Sequence, residues 1–516
     1  MKKLIEKIKN TFFLGSNEKK FLKFNNSRKN NFFFKEKKKI ILFNAAENYY
    51  DLCFSFLLKK EKKYHNYRFF LYMPIFSFHK KNPSKNIIIF FIFFYLNNIV
   101  LFFRNLKWKR MYSIVSSEFI SLNNNDILKE IQLLKLAQKP ISKLSSKEDV
   151  HKLKYRGIKI GDLIYDTYLR YKNKPTIDIK DPFLVEIYAK IIHSYEILSE
   201  FNSKNNISFF FTNQLSYIHH GFPVRFLLNK DKDIKYFGGK GSYMSTYKEK
   251  NYWHSYDYRR FPKIFSKLKN KKKKILLAKK LLNDKFTGKI IPQENSILEK
   301  SVYKDNKRNN LKNFVGVIFL HCFVDAPTGR GKCLFNDFYE WTEETLNFLE
   351  KNNLSKFMAV KPHPNSRDVS IDTEKLLKQK YPNFIWLDKK TSNKLIFQKK
   401  PKFGISVMGT VLTELAYHGI YSIAASTHPS MSYSFVCRAK TKKHYFNMIL
   451  KAFSTKKTIK VKSKNKIFEY IYCDFLKDDN INLIAKKIKL KDWNFTKSNV
   501  LTKFLKEIRL FNNLNY

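Results

Sequence analysis

The residues best suited to chemistry fall in three loops, each following a short apolar run. The first, HCFVDAPTGRGK at 321–332, carries His321, Asp325 and Arg330. KPHP at 361–364 carries Lys361 and His363, and its two prolines hold the loop extended. MGTVLTELAYHG at 408–419 sets Gly409 and Thr410 at a helix start, with Glu414 one turn in. Glycine there lets a ligand approach the backbone, and the N–H groups of Thr410 and Val411, aided by the helix dipole, face an anion. Gly-Arg-Gly-Lys at 329–332 would add backbone donors and charge for a phosphate. Glu414 is suited to accept hydrogen bonds from ribose hydroxyls. The GxxxxGK[ST] spacing of a Walker loop is absent. Each loop alone is a weak signal, and either histidine alone reads equally well as a buried imidazole bonded to backbone. Three in succession argue for a ligand site.

The elements that must position these loops alternate between apolar runs and amphipathic segments. Such alternation predicts βαβ units in a parallel sheet, whose ligands bind beyond the carboxyl ends of the strands. A second set of units begins near residue 38, with a strand over Ile40–Asn44, an amphipathic helix, and a strand in RFFLYMPIF. Ser208–Phe211 makes a further strand, with Thr212, Asn213, Ser216, Tyr217, His219 and His220 in its exit loop. Adjacent histidines diverge in a helix, so one hydrogen-bonding histidine is expected there, and no metal pair. In 154–182, Asp162, Asp166 and Arg170 fall four apart on one helix face. They read either as a solvated charge ladder, which the pattern alone favours, or as a charged wall of an acceptor cleft.

The expected fold is α/β, with two Rossmann-like lobes facing a central cleft. Residues 1–37 form a basic lead-in suited to a membrane surface, 38–285 the first lobe, 286–312 a Lys- and Asn-rich linker, and 313–516 the second lobe with C-terminal helices. The final helix is placed to cross back to the first lobe.

At 516 residues, with 50 Phe and 30 Tyr, the chain can bury two cores. Lys+Arg 100 against Asp+Glu 43 gives a formal charge of +57, spread along the chain without a zinc-finger, RRM or basic-zipper pattern. That distribution predicts no specific nucleic acid, while favouring anionic membranes and anionic sugar donors. Five cysteines with no CxxC pair fit a reducing cytoplasm. Ile87 to Phe103 is apolar except for Asn97 and Asn98, and is flanked by Lys85 and Arg104. It reads as a short membrane span or as a buried strand running into a helix, with the buried reading favoured.

HCFVDAP with FNDFYEW, KPHPNS and the MGTVLTELAYHGI block resemble bacterial capsule and lipopolysaccharide glycosyltransferases. GIKIGDLIYDTYLR and SYIHHGFPVR add to that resemblance, which spans residues 155 to 435. KPHP followed by a Gly-Thr…Glu helix is similar to the Kdo-transferring capsule enzymes and, more broadly, to GT-B glycosyltransferases. The resemblance implies a nucleotide-sugar donor (a CMP- or UDP-sugar), a glycan or lipid-linked acceptor, and catalysis that requires no cofactor or metal. It implies donor binding by Arg330, Lys361, His363, Gly409, Thr410 and Glu414. His321, Asp325 and Asp162 are the implied catalytic residues, any of which would serve as base. Asp166, Arg170, Tyr217 and His220 fall on the acceptor side. The chain departs from the family's Gly-Ser-Gly-Thr at Ser406-Val407-Met408-Gly409. Alternative classes are a CDP-polyol phosphotransferase of teichoic-acid type, a nucleotide-sugar epimerase, and a non-enzymatic polyanion-binding protein. The expected location is the cytoplasm, peripheral at the inner face of the plasma membrane.

Overall fold

Two six-stranded sheets, drawn from different stretches of the chain, organise this α/β protein. The structure, a computed structural model, describes residues 11–26, 39–74, 78, 87–238, 243–247, 259–287, 311–364, 366, 368–455, 464–476 and 498–513. Most of the expected linker, and the start and end of the basic lead-in, lie outside the described residues. The chain divides into two compact units. One comprises Met1–Ile164, Ile179–Tyr252 and Asp478–Tyr516; the other comprises Tyr165–Asp178 and Trp253–Lys477.

The first unit holds β1 (Ile40–Asn44), β2 (Arg68–Met73), β3 (Phe119–Ser121), a small hairpin of β4 (Lys154–Tyr155) and β5 (Ile158–Lys159), then β6 (Ile207–Thr212), β7 (Asp233–Gly238) and β8 (Tyr243–Tyr247). Its sheet order is β3-β2-β1-β6-β7-β8, parallel throughout except for antiparallel β8. All five residues of β1 are buried, as a central parallel strand covered on both faces requires. Phenylalanine fills the core: Phe54 stacks on Phe237 at 4.1 Å, and Phe43 stacks on the same ring at 5.6 Å. The hairpin turns at Arg156 and Gly157, both at positive φ, a geometry suited to a two-residue connection. Gly161 follows under the Val150 carbonyl, where a Cβ would meet the oxygen at 1.9 Å.

Three sequence expectations change here. Part of the lead-in is a helix, Ser16–Asn26, whose Phe21 is fully buried against Phe56 and Phe504. The last helix, Asn499–Asn513, packs against it in this unit, crossing back as expected, so the compact unit of the C-terminal lobe ends at Lys477 and not at 516. Ile87–Tyr112 is one continuous helix of 26 residues, without the strand expected at its start. Isoleucine and phenylalanine favour strands only where a pleated, half-buried surface receives them. Nor is this helix enclosed: its outer face is open apolar surface.

The second unit holds β9 (Gly316–Phe319), β10 (Met358–Lys361), β11 (Ile385–Trp386), β12 (Phe403–Ser406), β13 (Tyr421–Ala424) and β14 (Cys437–Arg438). They are parallel in the order β11-β10-β9-β12-β13-β14. The order reverses between β9 and β12, so the chain leaves these neighbours in opposite directions and opens a crevice at their carboxyl ends. Helices Phe261–Ser266 and Lys271–Phe286, expected in the N-terminal lobe, contribute Phe261, Phe265, Ala278 and Leu282 to this unit's core. The apolar face of that lysine-rich segment therefore moves the boundary toward the N-terminus. Asp337 caps helix Phe338–Lys351 by accepting from the Glu340 N–H at 2.7 Å, a contact worth about 1 kcal/mol. Trp341 is fully buried and donates to the Tyr445 hydroxyl at 2.9 Å. All five cysteines are free thiols.

Candidate active site

The crevice at the carboxyl ends of β9, β10 and β12 gathers the side chains singled out by their loops. His321 leaves β9 and lies flat on Phe338, ring centroids 4.3 Å apart. His363, leaving β10, stacks on His321 at 5.5 Å and 23°. Burial lowers the His321 pKa; the Asp325 carboxylate opposes this and Arg330 reinforces it. Burial, then the neighbouring His321 and Lys361, bring His363 down to about 3, with Asp325 again opposing. Both rings are neutral at pH 7. The buried Nδ1 of His321 has no hydrogen-bond partner among the described residues, which marks it as a group awaiting one. Asp325 turns its carboxylate onto the Ala326 N–H at 3.0 Å, within electrostatic reach of both imidazoles.

The β12 side is built from backbone and one further histidine. Ser406 Oγ donates to the Phe319 carbonyl at 3.1 Å, tying the ends of β9 and β12 together. A side chain at Gly409 would press on that Ser406 hydroxyl at 3.1 Å. Thr410 is the exposed N-cap residue of helix Val411–Tyr417 and makes no side-chain cap bond. The Leu412 and Thr413 N–H groups are taken by the Gly409 and Thr410 carbonyls, leaving those of Thr410 and Val411 to open the helix. His428, in the loop after β13, is 1% exposed. Its Nδ1 accepts from the Ser430 N–H at 3.1 Å, so the proton sits on Nε2, which donates to the Gly409 carbonyl at 3.2 Å. Burial, with Arg330 adding to it, lowers His428 to about 3. Arg330 thus acts on imidazoles from both β9 and β13, within a loop whose Gly331 has φ of +119°.

Two of the expected donor ligands are held more deeply than their loops suggested. Lys361 ends β10 at 2% exposure, its Nζ 3.4 Å from the Lys389 carbonyl, so it lies beneath the loop it was expected to enter. Burial lowers it to about 8, against the pull of Glu414, Asp388 and Glu374. Glu414 is 3% exposed and paired with Lys285 at 3.1 Å, with the Asn393 amide at 3.5 Å. The space beside them, lined by Lys285, Thr410, Thr413, Glu414 and Tyr470, has a cavity volume of about 10 Å³, room for one water. Glu414, expected to meet ribose hydroxyls, is met by Lys285 in this structure.

The expected acidic ladder does not form as drawn. Asp162 is 2% exposed and receives both Arg225 nitrogens, at 2.7 and 2.6 Å. Burial works to raise its pKa, but Arg225 outweighs it and the net shift is downward. An ionised carboxylate so committed is a poor proton acceptor. Asp166 accepts from the Thr328 hydroxyl at 2.7 Å, which fastens the loop carrying Arg330. The helix passes into a π-turn over Leu169–Asn173, so Arg170 lies beyond the regular helix Gly161–Tyr168 that carries Asp162 and Asp166.

The first unit has its own polar group where its strand order reverses, between β1 and β6. The Asn44 amide donates to Thr212 Oγ1 at 2.9 Å and to His220 Nδ1 at 3.0 Å. Burial lowers His220 to about 3. His219 and His220 do not diverge; their rings lie 4.2 Å apart in a π-turn over Tyr217–Gly221, with Tyr217 at φ +63° and stacked on His219. Asp51 accepts from the Asn213 amide at 2.7 Å, and burial raises it to about 8. The sequence pattern does not single out His428, Asn44 or Asp51, although THPSMSY is legible as a strand-exit loop and Asn44 as the polar end of an apolar run.

Among the described residues, no three His, Cys, Asp or Glu side chains converge as metal ligands. No protein-family model matches the chain, and no curated protein or solved structure matches it.

Proposed function

We propose that the protein is a glycosyltransferase of two Rossmann-like lobes, GT-B in type, moving a sugar from a nucleotide-sugar donor to a growing capsule or lipopolysaccharide glycan. The observation that carries this reading is the pair of neutral imidazoles, His321 and His363, stacked at 5.5 Å after the carboxyl ends of β9 and β10, next to the point where the strand order reverses. The motif resemblance across residues 155 to 435 supports it. Arg330, His363 and the N–H groups of Thr410 and Val411 hold the donor phosphates, and Lys361 contributes charge from beneath. The acceptor hydroxyl oxygen bonds to the anomeric carbon, the nucleotide phosphate leaves with the electron pair, and the hydroxyl proton passes to His321. Asp325 then steadies the imidazolium. Asp162, tied to Arg225, holds the fold in this reading, and Glu414, tied to Lys285, holds the Gly409 helix. The reaction needs no metal or cofactor, and the protein works at the inner face of the plasma membrane.

A thermal-shift screen against CMP, CDP, UDP, GDP and their sugars tests the reading on wild type and His363→Ala. A ligand at a hundredfold excess over its dissociation constant adds ~2.7 kcal/mol of apparent stability. One nucleotide class should stabilise the wild type, and the variant should lose most of that shift. A folded protein that no nucleotide stabilises would remove the donor site.

A further inference from the structure

Helix Ile87–Tyr112 is fastened to the first unit along one narrow line. Phe90, Phe94, Leu101, Trp108 and Met111 are buried on that line, and the Asn98 amide donates to the Asn124 carbonyl at 3.2 Å. From Ile88 to Phe103 the outward face is apolar and open. Ile88, Ile92, Tyr95, Leu96, Ile99 and Phe102 stand 52–68% exposed, and their spacing of three to four residues puts them on one face. Several further apolar side chains widen the strip beyond the few hundred Å² that a soluble monomer ordinarily leaves open.

The surrounding charge identifies the occupant. No Asp or Glu occurs from Ile87 to Tyr112; in its last turns Arg110 is exposed and Lys109 half-buried, while Arg104 pairs with Glu47 and Lys107 is buried against Glu18. Asn124, bonded to Asn98, leads into helix Ile127–Ile141, which leaves Leu128 and Leu136 exposed with Lys135 and Lys139 exposed beside them. Exposed apolar residues bordered by lysines suit a lipid interface, where the apolar groups enter the acyl boundary and the ammonium groups reach the headgroups. A formal charge of +57 repels a second copy of the chain and attracts an anionic leaflet. The apolar run reaches only to Phe103, about 25 Å of helix against a hydrocarbon core of about 30 Å. A spanning arrangement would also expose the line of Phe90 and Phe94 and break the Asn98 bond.

We propose that Ile87–Tyr112 docks lengthwise on an anionic phospholipid bilayer, its open strip buried at the acyl boundary and its basic end among the headgroups. This inference needs no sugar chemistry, and its test contains no nucleotide, so it stands or falls apart from the transferase reading. The full chain is floated with vesicles of phosphatidylglycerol and phosphatidylcholine, and with phosphatidylcholine alone, at low and high salt. Wild type should float with the anionic vesicles, keep part of that binding at high salt, and be released by alkaline carbonate. The triple variant Ile92→Gln, Leu96→Gln, Ile99→Gln changes only exposed positions. It should keep the wild-type thermal midpoint and bind at least about tenfold more weakly. Phe102→Gln, farther along the strip, is the second variant and should lose about threefold. Equal binding by wild type and both variants would overturn the proposal, leaving attraction by charge alone. Resistance to carbonate would overturn it in favour of a span. A wild-type dimer in sedimentation that the triple variant dissociates, with no vesicle binding, would make the strip a subunit interface.

Discussion

His428 offers a quantitative test of how the crevice is built. Its ring is buried, accepts from the Ser430 N–H, donates to the Gly409 carbonyl, and is held at about 3 chiefly by burial. In the unfolded chain an imidazole titrates near 6.5. Between those values the unfolded state binds a proton and the native state does not, so stability falls as pH drops from 6.5 toward 3. Going from pH 7 to pH 5 removes about 2 kcal/mol through this one residue. In His428→Asn, the amide oxygen keeps the Ser430 contact while the Gly409 contact and some volume are lost. That costs about 1–2 kcal/mol at pH 7. The variant carries no proton-linked loss, so the stability gap to wild type should close to near zero at pH 5. Urea unfolding at the two pH values, followed by tryptophan fluorescence, measures the gap. The other buried histidines titrate alike in both proteins and cancel in the difference. An equal gap at both pH values would refute the reasoning, because His428 would then bind its proton equally in folded and unfolded states.

Arg225→Met should destabilise the protein by roughly 3–5 kcal/mol by stranding the buried Asp162 carboxylate, and adding Asp162→Asn should recover more than half of that loss in urea unfolding. Lys285→Met should do the same to Glu414, again by roughly 3–5 kcal/mol, and Glu414→Gln in the same chain should recover part of it. Arg330→Ala should raise the His321 and His428 titrations, read by proton NMR of the imidazoles, because a neighbouring positive charge is gone. It should also weaken nucleotide stabilisation at least about tenfold if Arg330 holds donor phosphate.

The sequence made the strands legible and left their partners hidden. Runs such as Ile40–Asn44 and Gly316–Phe319 are buried end to end, so their apolar content marks them without reference to anything distant. The loops that follow such strands then place His321, His363 and Gly409 together by topology alone. Charge pairing is different. Asp162 lies 63 residues from Arg225, and nothing in local spacing distinguishes that pairing from an i,i+4 ladder. Glu414 and Lys285 are likewise joined only by the packing of a lysine-rich helix whose apolar face the sequence hid among its charges. The helix at Ile87–Tyr112 misleads for the opposite reason. Its residue types announce burial, and the fold leaves them open.

The net charge and the crevice therefore need separate explanations. A chain at +57 invites the view that its anion site is simply an electropositive patch. At the crevice, burial works against charge: His363 and His428 sit at about 3 and Lys361 is brought down to about 8. Arg330 acts on His321 and His428, and Lys361 on His363. A phosphate entering would supply the missing countercharge and raise the pKa of each imidazole it meets, so binding should take up protons and tighten as pH falls from 8 toward 6. A surface-patch site would show no such uptake, since lysines near their ordinary pKa stay protonated throughout that range. Proton release or uptake on nucleotide binding, measured by calorimetry in buffers of different ionisation enthalpy, separates a desolvated site from a merely basic one.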